Sequence, residues 1–211
     1  MSTNLASQLR LMLVTDDHVV QQAGVDIVEL ARRAVRGGVT AVQLRLKQAS
    51  AQDLLVLALA LREAVGVPVL VNDRVDVAAA AGSGVHLGPE DLSPELARRV
   101  LPAGTIIGAS VGTAGEVSRG ERADYWGVGP FRLSGTKPDA GVALGVDGVR
   151  AIVSLAGGRP CLAIGGVRPE DVPALFSAGV AGVAVVSGIL SAADPEAAAR
   201  SYASRVPRLT R

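Results

Sequence analysis

The chain has 211 residues, enough for one large α/β domain or two small ones, and its 21 basic and 20 acidic residues leave a net charge of +1. That balance, with no basic tract and no interleaving of aromatic and basic residues, argues against nucleic acid as a partner. Apolar residues make up 49%, in runs far shorter than the roughly 18 residues of a membrane span, and aromatics only 2%, so the core must be Ala, Val, Leu and Ile. Cys161 is the single cysteine, so no internal disulfide can form, and it reads as a small core residue. Met1 to Arg10 lacks a signal-peptide core, and a cytoplasmic setting is expected.

Residues 1–8 read as a flexible extension. Leu9 to Val14 then reads as the first strand, ending in Thr15-Asp16-Asp17. Val25 to Val35 has helical spacing and stops at Gly37-Gly38. Val39 to Leu44 is the second strand, with Gln43, Arg45 and Lys47 at its end. Ser50 caps a helix running through Glu63. Val69 to Val71 is the third strand, followed at once by Asn72 and Asp73. A small-residue helix, Val75 to Ala81, leads to a fourth strand, Val85 to Leu87, with Asp91 beyond it. Ser93-Pro94 opens the next helix. Thr105 to Ala109 is the fifth strand, ending in Ser110, and Ala114 to Arg119 a short helix. Tyr125 to Val128 is the sixth strand, and a glycine-rich loop runs from Gly129 to Val142. Helices over Gly145 to Leu155, Pro169 to Ala178 and Pro195 to Ala203 alternate with strands over Cys161 to Ile164 and Val183 to Val186. Eight strands, each followed by a helical segment, predict a parallel (β/α)8 TIM barrel in one α/β domain. An open doubly wound sheet is the alternative, but no G-x-G-x-x-G follows the first strand.

The chemistry concentrates at the strand ends, which share one rim in a parallel barrel. Asp73 and Asp91 follow consecutive strands. Two carboxylates brought together repel, and a divalent cation such as Mg2+ would relieve that. Alternatively, Asp73 is an N-cap and Asp91 a solvated loop acid. Gln43-x-Arg45-x-Lys47 can present three donors to one anion, a phosphate or diphosphate; otherwise it is a solvated salt-bridge edge. Ser134-Gly135-Thr136-Lys137 can cradle a phosphate, although it is not a P-loop; an ordinary loop is the alternative. Gly165-Gly166 and Val186-Ser187-Gly188 end strands seven and eight, where barrels often bind phosphate through backbone amides; a tight turn also suits the glycines. His86 reads as a core histidine with one satisfied nitrogen and His18 as a surface residue. No nucleophile or general base stands out, which suits a reaction with a diphosphate leaving group.

These motifs together resemble the thiamine-phosphate synthase family. The resemblance runs from about Leu11 to Leu190 and rests on LVTD (13–16), VQLRLK (42–47), VNDRVD (71–76), GVHLGPED (84–91), IIGAS (106–110), ADYWGVGP (123–130), SGTK (134–137), AIGG (163–166) and GVAVVSGI (182–189). It implies condensation of hydroxymethylpyrimidine diphosphate with hydroxyethylthiazole phosphate, or its carboxylated form. The products would be thiamine phosphate and diphosphate, with one Mg2+ per subunit. The resemblance assigns Gln43, Leu44, Arg45, Leu46, Lys47, Asn72, Ser110 and Lys137 to the pyrimidine diphosphate. Of these, Arg45, Lys47, Ser110 and Lys137 would act in catalysis. It assigns Asp73 and Asp91 to Mg2+, and Ser134, Gly135, Thr136, Gly166, Val186 and Ser187 to the thiazole phosphate. Partners would be small phosphorylated substrates, with a homo-oligomer allowed. Two positions depart from the family pattern: Leu46 replaces an acid, and Ser134 stands in a loop that usually reads P-T-x-T-K. The segment before Asp91 is also one residue shorter. Two other readings share the barrel. A thiazole tautomerase would need a histidine in the loop after strand six, where this chain has Pro130 and no histidine between Gly127 and Lys137. A non-catalytic phosphate sensor would not need the paired acids.

Overall fold

The structure, a computed structural model, describes residues 2–23, 26–133 and 141–208. In chain order it contains α1 (Ser2–Gln8), β1 (Leu11–Val14), α2 (Asp17–Ala23), α3 (Ile27–Arg36), β2 (Ala41–Leu44), α4 (Ala51–Ala64), β3 (Val69–Asn72), α5 (Val75–Ala81) and β4 (Gly84–Leu87). There follow α6 (Pro94–Val100), β5 (Ile107–Ser110), α7 (Val117–Gly120), β6 (Tyr125–Val128), α8 (Gly145–Ser154), β7 (Cys161–Ile164), α9 (Val172–Ser177), β8 (Gly182–Val185), α10 (Ser187–Leu190) and α11 (Pro195–Ala203). Each strand pairs in parallel with the next, and β8 returns to β1, with Leu11 opposite Val183 and Leu13 opposite Val185. The sheet is therefore a closed (β/α)8 barrel, and the open doubly wound alternative falls because no edge is left unpaired.

Alternation along the strands builds two layers of core. Leu11, Leu13, Val42, Leu44, Val69, Val71, Val85, Leu87 and Trp126 point outward and pack beneath the helices. Met12, Val14, Ala41, Leu70, Tyr125, Leu162 and Ala184 form a second cluster inside the barrel, with Leu9. Cys161 lies in the outer layer, and burial pushes its thiol up to about 12, so it is an inert core side chain as expected.

Several helices start where a short polar side chain takes their first amides. Asp26 accepts from Val28 and Glu29, Ser50 from Asp53, and Asp194 from Glu196 and Ala197. Three helices were not expected. α1 occupies the stretch read as a flexible extension, with Leu5 against the interior cluster. α2 fills the space between Asp17 and the expected helix, and α10 follows β8 directly. The first, second and fifth strands begin two residues later than expected; for the first two, Thr40 bonds Leu11 through its hydroxyl and the ladder starts at Ala41.

Candidate functional site

The interior changes character toward the C-terminal ends of the strands. Parity places Val14, Gln43, Asn72, His86, Ser110, Gly127 and Ile164 on the inner face, and the register sets Val14 beside Gln43, Asn72 beside His86, and Ser110 beside Gly127. Four neighbouring strands, β2 to β5, thus present polar side chains. The facing wall is Val14, Gly127, Ile164, Ala184 and Val186. Together they line a cavity of about 470 Å³ that opens among Arg45, Lys47, Asp73, Asp91, Gly166 and Ser187.

The polar arc is hydrogen-bonded side chain to side chain. Gln43, buried, donates from Nε2 to Asn72 Oδ1 at 2.8 Å. His86 pairs Nδ1 with the Tyr125 hydroxyl at 2.8 Å and Nε2 with Ser110 Oγ at 3.1 Å. The expectation of a core histidine with one satisfied nitrogen is thus corrected: both nitrogens are engaged, and the ring lines the cavity. His18 is exposed, as expected.

The segment carrying Arg45 and Lys47 is held by the end of β1. Thr15 Oγ1 accepts from the Arg45 amide at 2.8 Å and donates to its carbonyl at 3.1 Å. Asp16 Oδ2 accepts from Arg45 Nη1 at 2.7 Å, in a pair whose side chains are 5% and 17% exposed. Asp17 takes the amides of Lys47 at 2.7 Å and Gln48 at 3.2 Å. Three consecutive residues therefore fix the backbone of 45–48 and the direction of one guanidinium. Sequence reasoning noted Thr15-Asp16-Asp17 and gave it no role; its position at a strand end was the available signal.

The two acids meet as the sequence suggested. Asp73 sits at φ 63°, a left-handed conformation that Asp tolerates better than most residues. Its burial, together with the hydrogen bond to and charge of Asp91, pushes its carboxyl up to about 6, against the opposing pull of Lys47 and Arg45. Lys47 Nζ lies 4.0 Å from Asp73 Oδ2. Asp91 accepts from the Gly88 amide at 2.6 Å, and Arg119 from α7 donates to the Gly88 and Asp91 carbonyls. Asp73 as an N-cap is not what forms, since Arg74 occupies that position of α5.

On the far rim, β6 leads into a segment strapped to the end of β7. Phe131 and Arg132 donate their amides to the carbonyls of Ile164 and Gly165, at 2.7 and 2.9 Å. The Arg132 guanidinium grips Asp171 with both Nη atoms, at 2.9 and 3.0 Å, and donates to the Gly166 carbonyl at 2.6 Å. Gly166 has φ 62°, and a Cβ there would stand 3.0 Å from Arg132 Cβ, so glycine is what the close approach requires.

Of the expected site residues, the structure gathers Gln43, Arg45, Lys47, Asn72, Ser110, Asp73, Asp91, Gly166, Val186 and Ser187 around one cavity. Leu44 and Leu46 are placed differently. Leu44 is buried under the helices, and Leu46, partly buried, packs against the same core. Ser134, Gly135, Thr136 and Lys137 lie outside the described residues.

Residues 11–189 match the family model described as thiamine monophosphate synthase. The chain belongs to that family. It is 44% identical over 202 residues to a thiamine-phosphate synthase of Azorhizobium caulinodans, covering 92% of each chain. It is 42% identical over 187 residues to one of Moorella thermoacetica, covering 86% of this chain and 89% of that one. A solved thiamine phosphate pyrophosphorylase from Pyrococcus furiosus superposes with a TM-score of 0.84 at 34% identity, over 96% of this chain and 98% of that one. As a member of the thiamine monophosphate synthase family, this chain is a transferase of thiamine biosynthesis with thiamine-phosphate synthase activity. No helix among the described residues is long and apolar enough to cross a membrane.

Proposed function

We propose that this synthase joins a hydroxymethylpyrimidine diphosphate to a hydroxyethylthiazole phosphate, or its carboxylated form, by a dissociative substitution that releases diphosphate. The observation that carries the reading is the meeting of Asp73 and Asp91 beside Arg45 and Lys47 at one cavity mouth. Both substrates are small phosphorylated molecules, and the setting we assign is cytoplasmic.

The acid pair fits Mg2+. It offers hard oxygen donors, and no group of three or more His, Cys, Asp or Glu stands together among the described residues. That suits an ion that keeps waters and takes oxygens from a substrate phosphate. Held by Asp73 and Asp91, it would supply positive charge against the diphosphate. Arg45, held by Asp16, and Lys47 would strengthen their interaction with that leaving group as its negative charge grows, and such differential binding lowers a barrier. Gln43, Asn72 and Ser110 form the polar wall where an aminopyrimidine would be oriented by hydrogen bonds. Gly166, Val186 and Ser187 take the thiazole phosphate, placing its ring nitrogen against the pyrimidine carbon, a gain in positioning. Lys137 and the hydroxyls of Ser134 and Thr136 are assigned by resemblance to the same two anions.

The test is to mix both substrates with protein and Mg2+ and follow diphosphate and thiamine phosphate, with EDTA as control. Metal-dependent formation of both in equal amounts supports the reading. Diphosphate release without thiamine phosphate, or turnover unaffected by EDTA, refutes it.

A further inference from the structure

We propose that Tyr125 and His86 are positioning residues that set the polarity of the Ser110 hydroxyl, so that Ser110 faces its ligand as a hydrogen-bond donor. The inference deepens the proposed function, because it rests on Ser110 meeting the pyrimidine substrate.

Tyr125 is 1% exposed inside the barrel, and burial raises its phenol well above the ordinary range, so it stays protonated. A buried hydroxyl proton left without an acceptor carries the full penalty of its lost hydration. Among the described residues, the hydrogen-bond partner of that hydroxyl is His86 Nδ1, at 2.8 Å. Tyr125 therefore donates and Nδ1 accepts. An imidazole whose Nδ1 accepts carries its proton on Nε2, which stands 3.1 Å from Ser110 Oγ. That proton occupies a lone pair of Oγ, and the Ser110 proton must point elsewhere. Ser110 lines the cavity, so its hydroxyl is directed toward a ligand acceptor there: a ring nitrogen or an anionic oxygen. The opposite polarity would make Ser110 donate to His86 and would leave the buried phenol proton stranded.

The space for this chain of contacts is built by two glycines. A Cβ at Gly108 would overlap the Tyr125 ring, and one at Gly127 would stand 3.0 Å from His86 Cε1. Both glycines face inward: Gly108 is the register partner of both His86 and Tyr125, and Gly127 is that of Ser110. Larger residues would close the barrel interior more simply, so glycines here accommodate the Tyr125 and His86 rings rather than merely permitting a turn.

The experiment begins with the ligand-free protein and needs no substrate. His18→Gln leaves His86 as the lone histidine, since the chain has 2. Its ring nitrogens are then read by 15N NMR. A protonated Nε2 with an unprotonated Nδ1 is expected; a protonated Nδ1 with an unprotonated Nε2 overturns the proposal. In turnover, Tyr125→Phe should lower kcat/KM for the pyrimidine diphosphate by about tenfold, the scale of one hydrogen bond, and leave KM for the thiazole phosphate unchanged. In a Ser110→Ala background the same change should have no further effect. Equal losses in both backgrounds would mean that Tyr125 acts through packing alone and would overturn it. Should the unsubstituted protein turn over no substrate, the NMR result still decides the polarity, and only the proposed reaction falls.

Discussion

Replacing Asp73 by asparagine should remove metal-dependent turnover and at the same time stabilise the metal-free protein. Burial and Asp91 raise the Asp73 carboxyl from 3.8 to about 6, so between those values the folded state holds a proton that the unfolded state has released. Stability therefore falls as pH rises through that window and stays reduced above it. At 1.36 kcal/mol per pH unit the span corresponds to ~3 kcal/mol. The Asp73 side chain is 29% exposed, and solvent screening reduces this to about 1–2 kcal/mol. Asn carries no charge, keeps a similar shape, and accepts the left-handed backbone at φ 63°. In a chain of 211 residues that gain is about 2–8 °C in Tm. Differential scanning fluorimetry with EDTA at pH 8 should show Asp73→Asn melting higher than the parent, with the difference vanishing near pH 4. Added Mg2+ at pH 8 should raise the parent's Tm and close the gap. An Asn variant no more stable than the parent at pH 8 would refute the reasoning, because the paired carboxylates would then impose no strain for a cation to relieve.

Asp16→Asn should lower kcat/KM for the pyrimidine diphosphate about tenfold by releasing Arg45, the scale of one charge-assisted contact, and should have no effect once Arg45→Ala is in place; steady-state kinetics of the pair checks this. Arg132→Ala should raise KM for the thiazole phosphate while leaving KM for the pyrimidine diphosphate alone, because it frees the loop at Gly166 from Asp171; unchanged thiazole KM would separate the strap from the site. Gly108→Ala should cost about 1–3 kcal/mol by crowding Tyr125, read as a lower urea midpoint at constant slope.

The barrel was legible because each strand is a short apolar run closed by a polar or glycine residue, a pattern that only a sheet buried on both faces needs. Asp73, Asp91, Arg45 and Lys47 were legible for the same reason, since strand ends in such a sheet share a rim. What escaped was of two kinds. α2 and α10 are short helices lodged directly after strand ends, where the residues looked like loop and carried too few turns for a periodic face. His86 and Tyr125 were read within apolar strands, and only the register, which sets Asn72 beside His86, reveals that His86 continues the polar row begun by Gln43 and Asn72. The contacts of Asp16 with Arg45 and of Arg132 with Asp171 span 29 and 39 residues, and no local pattern announces them.

The division of the inner wall, polar on β2 to β5 and glycine-rich or aliphatic on β6 to β8, makes the two halves of the barrel separable targets for change. Under the proposed assignment, a substitution on one arc would retune the recognition of one reactant while the other keeps its seat. A laboratory search for altered substrates can therefore randomise one arc at a time.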